Sequence, residues 1–169
     1  MKSRKILALK RRRERKTNYK RRLNLLKSGK PKVIIRKSNY YITLQLIESN
    51  IENLKEITKL AFTSKNLEKF GWKYSKKNLP ASYLAGLAFG LMCKKNEIKE
   101  GILDIGLSRI TKGNKIFSAL LGCIDAGLKI PYSEKYIPSE DRIKGTHISK
   151  DIVRDFEIIK QKILEYYGK

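Results

Sequence analysis

The sequence predicts a mixed α/β fold, in which an antiparallel three-stranded meander and one further strand pack against helices, with a basic N-terminal extension and a C-terminal helix. Three observations support this prediction. Residues 32–63 carry short apolar segments that alternate with polar residues, residues 78–128 carry apolar residues at helical spacing, and residues 1–37 hold most of the excess positive charge. Alternation indicates strands with one buried face, and helical spacing indicates amphipathic helices.

The charge of the chain is high for a folded domain. The 169 residues include 39 Lys or Arg and 16 Asp or Glu, which gives a formal net charge of +23. Residues 1–37 contain 17 of the bases and one acid, Glu14, so this segment carries +16 and the remainder carries +7. Self-repulsion on this scale predicts a polyanionic partner that neutralises it.

Cysteine and histidine are scarce, which excludes several classes of protein. Cys93 and Cys123 are the only cysteines in the sequence, and His147 is the only histidine. These residues are too few for a disulfide-dense scaffold, or for a four-ligand zinc site without carboxylates. We therefore expect an intracellular, cytoplasmic protein. The longest uncharged segment, residues 78–93, is shorter than a membrane span and contains Asn, Pro and Gly, so we interpret it as a buried helix.

Residues 1–28 are expected to form a basic arm. The runs at residues 11–16 and 20–22 leave no apolar face wide enough to pack on a core, and a block of like charge repels itself. We therefore expect this arm to be extended or loosely helical until it meets its partner. The residues that mark where it begins to dock are Tyr19, Leu23, Leu25 and Leu26.

The predicted meander follows Pro31. We expect a strand over residues 32–37, a two-residue turn at Ser38 and Asn39, and a second strand over residues 40–47, in which apolar and polar residues alternate. A polar connection over residues 48–55 leads to a third strand over residues 56–63. One buried face is typical of such an antiparallel sheet.

Helical spacing begins near Asn78, with Pro80 in the first turn, where the N–H that proline lacks is not needed. Because glycine is unfavourable inside a helix, we expect Gly86 and Gly90 to permit a close approach to the sheet, with the helix lying flat on the meander. Residues 101–107 predict a short buried strand. Residues 112–114 then open a second helix.

The last part of the chain combines a loop with a helix. Residues 129–148 lack a periodic apolar pattern and predict a long surface excursion, which in a compact domain is usually functional. Ser149 is expected to cap a final helix whose apolar residues recur every three or four positions. We therefore divide the chain into a basic arm (1–28), a compact α/β domain (29–130), and the excursion with the C-terminal helix (131–169).

The basic arm carries the strongest functional signal. Arg and Lys neutralise phosphates, and arginine also stacks on unpaired bases, so nucleic acid is the favoured partner. A solvated charge run and a membrane-surface arm are the alternatives, although residues 11–22 lack the apolar stripe that a membrane requires. Tyr19 lies between two basic runs and either stacks on a nucleobase or pins the arm to the domain.

Two other groups of residues could carry chemistry. Thr111, Lys112 and Gly113 lie at the predicted start of the second helix, where a phosphate is favoured, although an ordinary turn explains them equally well. A metal-binding carboxylate cluster of a nuclease is less favoured, because nothing fixes the mutual spacing of its candidates and many bases are available to pair with them. Those candidates are Asp104, Asp125, Glu140 and Asp141.

The remaining reactive side chains have simpler explanations. Cys93 and Cys123 each fall on the apolar side of a predicted helix, so we interpret them as small buried hydrophobic residues rather than redox or nucleophilic groups. His147 has no nucleophile or metal-ligand partner at a suitable spacing and is interpreted as a surface or RNA-contacting residue.

Several segments together resemble one family, the ribosomal protein of the large subunit that binds 5S ribosomal RNA, number eighteen in the bacterial and archaeal series. Their order across residues 4–148 is specific, and the Phe-Gly-Trp and Pro-Ser-Glu-Asp-Arg-Ile segments resemble the archaeal and eukaryotic branch. Asn18 stands where Asp is expected, and Tyr132 where His is common. The segments are residues 11–14, 16–17 with Tyr19, 29–31, 33–39, 70–72, 104–107, 111–113, 125–128 with 130–131, and 138–143 with Gly145 and residues 147–148.

The resemblance implies a structural RNA-binding protein rather than an enzyme, with a ribonuclease-H-like α/β domain that lacks the carboxylate site, and with no cofactor or metal. It implies that the arm and one side of the sheet hold 5S ribosomal RNA, which docks beside 23S ribosomal RNA and neighbouring proteins in the central protuberance. A non-specific basic nucleic-acid chaperone and a metal-dependent nuclease remain alternatives. The candidate RNA-binding residues are Arg11, Arg12, Arg13, Arg15, Lys16, Tyr19, Arg21, Arg22, Arg36, Lys37, Ser38, Asn39, Thr111, Lys112 and Gly113.

Overall fold

The structure is a computed structural model that describes residues 7–50 and 55–168. The first six residues of the predicted arm, residues 51–54 of the predicted polar connection, and Lys169 lie outside the described residues. The strands are β1 (Lys32–Lys37), β2 (Ile42–Asn50), β3 (Lys55–Thr63) and β4 (Ile102–Asp104). The helices are α1 (Lys10–Arg13), α2 (Tyr19–Lys27), α3 (Leu79–Lys95), α4 (Lys115–Asp125), α5 (Glu140–Lys144) and α6 (Lys150–Tyr167), with 3-10 helices at Ser64–Phe70 and Glu134–Tyr136.

The four strands form one mixed sheet in the order β3-β2-β1-β4. β1 pairs antiparallel with β2, and β2 with β3, so that Leu44 lies between Ile35 and Phe62. β4 pairs parallel with β1, with Ile34 opposite Asp104. The predicted α/β fold, with a three-stranded meander, a further strand and packed helices, is confirmed.

Side-chain alternation gives the sheet two different faces. On β1, Val33 and Ile35 are fully buried in the core that the sheet shares with α3 and α4, whereas Ile34 and Arg36 are half-buried and point to the opposite face. Helix α2 contacts this opposite face and contributes the buried Leu25. The sheet therefore lies between the helical core and the basic arm.

The hairpin between β1 and β2 is longer than predicted. β2 begins at Ile42 rather than at Tyr40, because Ser38 organises a wider turn. Its N–H donates to the Tyr41 carbonyl at 2.8 Å, and its hydroxyl accepts a hydrogen bond from the Tyr41 N–H at 2.9 Å. Tyr40 is consequently part of the turn and is 75% exposed.

β4 is shorter and more exposed than the buried strand predicted over residues 101–107. It spans Ile102–Asp104, and all of its residues are half-buried, because β4 forms an edge of the sheet and has a neighbouring strand on one side only. The chain leaves the sheet at Gly106, whose φ of +59° lies in the left-handed region that glycine tolerates. The prediction of a buried strand over residues 101–107 is therefore wrong in length and burial.

Helix α3 lies at the centre of the core and is buried at every position from Leu79 to Leu91. The Asn78 side chain caps it by accepting a hydrogen bond from the Ala81 N–H at 2.9 Å. The expectation that its glycines approach the sheet is wrong, because a Cβ on Gly86 would collide with the backbone of Ala119 in α4. Gly90 likewise faces α4, so these glycines permit two helices to pack in backbone contact. Because α3 is apolar on all sides, its sequence pattern does not show which side packs on the sheet and which side packs on α4.

The last forty residues add to the same core. Ser149 caps α6, and Phe156 and Ile163 are among the α6 residues that are buried in the core with α3. The excursion predicted over residues 129–148 is wrong in part, because it folds into the 3-10 helix and α5 and buries Ile143. These elements are too short to produce a periodic pattern. Within the described ranges, no helix is both long and apolar enough to cross a membrane.

Candidate nucleic-acid interface

The described part of the basic arm contains two helices. α1 is a single exposed turn, and Asn18 caps α2 by accepting a hydrogen bond from the Arg21 N–H at 3.0 Å. Arg11 Nε donates to Thr17 Oγ1 at 2.9 Å, which links α1 to the segment before α2. The expected loosely helical arm is therefore a regular helix over Tyr19–Lys27, because Asn18 caps this helix and Leu25 anchors it in the domain.

Two arginines attach α2 to the sheet. Arg21 Nη1 donates to the Gly106 carbonyl at 3.2 Å. Arg22 Nη2 lies 3.4 Å from Glu56 Oε1, which also accepts a hydrogen bond from the buried Lys32 Nζ at 2.7 Å. That hydrogen bond lowers the pKa of the Glu56 carboxyl. Part of the positive charge of the arm is thus used to dock it.

Arg36 lies on β1, within the strand predicted over residues 32–37. Its Nη2 donates to Asp104 Oδ2 at 2.9 Å, and its Nη1 donates to the Asp104 carbonyl at 2.5 Å. Asp104 Oδ1 accepts from the Gly106 N–H at 2.7 Å. Since Arg21 bonds to the carbonyl of Gly106, Arg36 and Asp104 support the site where the arm docks. Asp104 therefore acts in an ion pair rather than as a free carboxylate.

A cavity of about 390 Å³ opens between the arm and the ends of β1 and β4. We call it the arm cleft. Five cationic side chains line it against a single carboxylate, that of Asp104, so its potential is strongly positive. The lining residues are Arg11, Lys16, Thr17, Asn18, Arg21, Arg22, Leu25, Arg36, Asp104, Gly106 and Leu107.

The outer surface of the arm holds the other predicted arm residues. Arg12, Arg13 and Arg15 are exposed and make no ion pair with any residue in the described part of the chain. Lys16, which lines the arm cleft, pairs with Glu14 at 3.0 Å. A second hollow of about 540 Å³ is lined by Arg12, Thr17, Asn18, Tyr19 and Lys20, so Tyr19 faces a basic hollow.

The hairpin turn presents a mixed set of groups. The Ser38 hydroxyl is occupied by the turn, since it accepts from the Tyr41 N–H and donates to the Tyr41 carbonyl at 3.1 Å. Asn39 and Lys37 are exposed. Tyr40 is an exposed aromatic ring that the sequence reasoning assigned to a strand, and two consecutive tyrosines after a turn were the signal that could have identified it.

Thr111, Lys112 and Gly113 lie before α4 and not at its first turn. Asn114 is the cap residue, and its side chain accepts from the Ile116 N–H at 3.4 Å. The Gly113 N–H donates to the Tyr136 carbonyl at 3.0 Å, and the Tyr136 ring stacks on Phe117. The structure thus explains Gly113 by a turn, with φ of +70°, and leaves Thr111 and Lys112 exposed.

Three of the carboxylates considered for a nuclease each bond to a different partner, and Asp104 has already been described in its ion pair with Arg36. Asp125 accepts a hydrogen bond from the Tyr83 hydroxyl at 2.7 Å, and Glu140 pairs with Lys144 at 3.3 Å. Among residues 7–50 and 55–168, no group of three His, Cys, Asp or Glu side chains could hold a metal ion. Cys93 and Cys123 are buried as predicted, and burial raises the pKa of the Cys93 thiol to about 12.

Comparison with known proteins gives a consistent result. The family model described as "Ribosomal large subunit proteins 60S L5, and 50S L18" matches residues 3–100 and 92–133. A protein of Korarchaeum cryptofilum is 50% identical over 139 residues, which cover 82% of this chain and 70% of the relative. Proteins of Aeropyrum pernix and Methanoregula boonei are each 41% identical, over 95% and 94% of this chain and over 73% and 93% of their own lengths. Each of the three is named large ribosomal subunit protein uL18.

Proposed function

This chain belongs to the family of ribosomal large subunit proteins that includes 60S L5 and 50S L18, and from that premise we propose that it binds 5S ribosomal RNA and attaches it to 23S ribosomal RNA in the central protuberance. Membership makes the chain a ribonucleoprotein component of the large ribosomal subunit that serves translation. Its relatives are named as ribosomal proteins, which are structural components and not enzymes.

The arm cleft is the observation that supports RNA binding most strongly. Arg21 and Arg22 on α2, Arg11 and Lys16 before it, and Arg36 on β1 all line one cavity. A phosphate in this cavity would neutralise charges that otherwise repel one another, and release of its counterions would add to the affinity. The docked position of α2 means that less ordering of the arm remains to be achieved on binding.

The geometry suggests how the predicted residues divide their roles. Arg12, Arg13 and Arg15 are free to contact phosphates on the outer side of the arm, where contacts position an RNA without reading its sequence. Tyr19 and Tyr40 offer rings on which unpaired bases stack, which is the usual source of discrimination in RNA recognition. Arg36 is 41% exposed at its side chain while it bonds to Asp104, so it can support the arm and still face an RNA.

The double variant R11Q/K16Q tests the cleft directly, because both residues line it and neither bonds to the sheet. Its matched control is K94Q/K95Q, which removes two exposed charges from the last turn of α3. We expect R11Q/K16Q to weaken binding of purified 5S ribosomal RNA by about tenfold or more at fixed salt, and the control to change it by less than about threefold. Equal effects of the two variants would contradict the role of the cleft.

A further inference from the structure

Three lysines extend from one end of the domain, and none of them pairs with an acidic side chain of residues 7–50 or 55–168. Lys37 is the last residue of β1, Lys77 lies just before α3, and Lys115 is the first residue of α4. Lys37 and Lys77 are exposed, whereas Lys115 is half-buried. In the described parts of the chain, none of the three forms an ion pair or a hydrogen bond through its side chain. We call this group the lysine cluster.

The packing of the fold brings these lysines together. The Ser118 hydroxyl of α4 donates to the Leu79 carbonyl of α3 at 2.9 Å, so the first turns of the two helices lie side by side. Lys77 precedes Leu79 by two residues. Lys115 precedes Ser118 by three residues and lies on the same side of α4. The ends from which these two lysines extend are thus fixed against each other.

Lys37 joins the cluster from the sheet. Val33 and Ile35 on β1 are buried against the helices, and alternation places Lys37 on this same helical side. Its neighbour Arg36 points to the other side, into the arm cleft. Two consecutive basic residues of one strand therefore serve opposite faces of the sheet.

The electrostatics of the cluster favour an anion between the lysines. Burial, and then repulsion from Lys77 and Lys37, lower the pKa of the Lys115 ammonium group. The adjacent Lys76 has its own partner in Glu68, and that acid is therefore already engaged. The Asn78 and Asn114 side chains cap the two helices, so any anion here would be held by the ammonium groups rather than by free helix ends.

We propose that Lys37, Lys77 and Lys115 form a second phosphate-binding site, which holds the backbone of an RNA segment different from the one in the arm cleft. The inference rests on the proposed function. Lysine suits this role because a compact ammonium group contacts a phosphate as a point charge and does not require a fixed geometry. With one site on each face of the sheet, the protein can hold two RNA segments at once.

The test uses the full chain with substitutions K77Q and K115Q together, and K94Q/K95Q as the control that removes the same charge from the opposite end of α3. Two quantities are measured: the affinity for purified 5S ribosomal RNA, and the capture of 23S ribosomal RNA by the preformed complex of protein and 5S RNA. We expect K77Q/K115Q to reduce capture by about tenfold and to lower its salt slope by about 2, with affinity for 5S RNA unchanged within about threefold.

Several outcomes would overturn the second site. Capture equal to that of K94Q/K95Q would mean that the cluster is a solvated group of charges. A loss that falls on the binding of 5S RNA instead would mean that both faces hold the same RNA. Failure of the unsubstituted protein to bind 5S RNA is a separate result that contradicts the proposed function itself. Circular dichroism of each variant distinguishes loss of contact from loss of fold.

Discussion

The guanidinium group of Arg36 bonds twice to Asp104, through the carboxylate at 2.9 Å and through the backbone carbonyl at 2.5 Å. The two residues lie on β1 and β4, the parallel pair at the edge of the sheet. Asp104 also accepts from the Gly106 N–H, and the Gly106 carbonyl accepts from Arg21 of the arm. An edge pair of the sheet thus supports the docking of the basic arm.

Substituting Asp104→Asn removes the charge that fixes Arg36 and Gly106. Because the side chain of Arg36 is 41% exposed, solvent screening limits the effect, and we expect the free energy of unfolding to fall by about 1 kcal/mol. Urea denaturation measures it. Glu157→Gln is the matched control, since this exposed residue of α6 forms no ion pair with any other described residue. No difference between the two variants would mean that the pair contributes nothing to stability.

Deletion of residues 1–22 is expected to leave a folded domain that binds RNA weakly. The buried residue of α2, Leu25, lies beyond the deletion, and no residue from 7 to 22 is buried. A cooperative thermal transition by circular dichroism checks the fold. Loss of the arm should also make the affinity for RNA less dependent on salt between about 50 and 200 mM, because fewer counterions are released. An unfolded product would show that the arm belongs to the core.

The pH dependence of stability is expected to include a contribution from Glu56. The pKa of its carboxyl is lowered in the folded protein, chiefly by the hydrogen bond from Lys32. A lowered pKa stabilises the fold above the pKa of the unfolded chain, and this stabilisation disappears as the pH falls through the folded pKa. Glu56→Gln should therefore weaken the loss of stability on acidification. Urea unfolding at a series of acidic pH values gives the free energy of unfolding of the unsubstituted protein and of the variant. If this free energy falls equally with pH in both proteins, the role of Glu56 is contradicted.

Gly86→Ala is expected to destabilise the domain although it replaces glycine by a better helix former. The added methyl group would meet the Ala119 carbonyl in α4, a backbone atom that can move only if the helices separate. Overpacking of this kind costs about 1–3 kcal/mol, more than the gain in helix propensity. Thermal unfolding measures the change. A more stable variant would mean that the two helices are less tightly packed than the structure indicates.

The sequence predicted the elements in which apolar residues recur periodically over many consecutive positions. The alternation of residues 42–47 identified β2, and Pro80 with the apolar spacing after Asn78 identified α3. The bond between Arg36 and Asp104 could not be predicted, because it joins residues 68 positions apart through a strand of three residues. The 3-10 helix at Glu134–Tyr136 and α5 are also too short for periodicity to reveal.

The candidate site was predicted by residue type better than by location. Arg11, Lys16, Arg21 and Arg22 all line the arm cleft, because clustered charge in a short segment stays clustered in space. Arg36 and Lys37 were both RNA-binding candidates at the end of one predicted strand, yet strand alternation sends them to opposite faces. The proximity of Lys77 to Lys115 was not predicted, since only the packing of α3 against α4 brings them together.

Competition between purified 5S ribosomal RNA and a duplex DNA of equal charge, for the intact protein at fixed, near-physiological salt, tests the central claim most directly. Phosphates alone do not distinguish the two ligands, whereas shape and unpaired bases do. We predict that 5S RNA displaces DNA with an advantage of at least about tenfold. Mutating Arg11, Arg12 and Arg13 should weaken both ligands to a similar extent. If DNA competes as well as 5S RNA, the protein is a general binder of polyanions and the claim is contradicted.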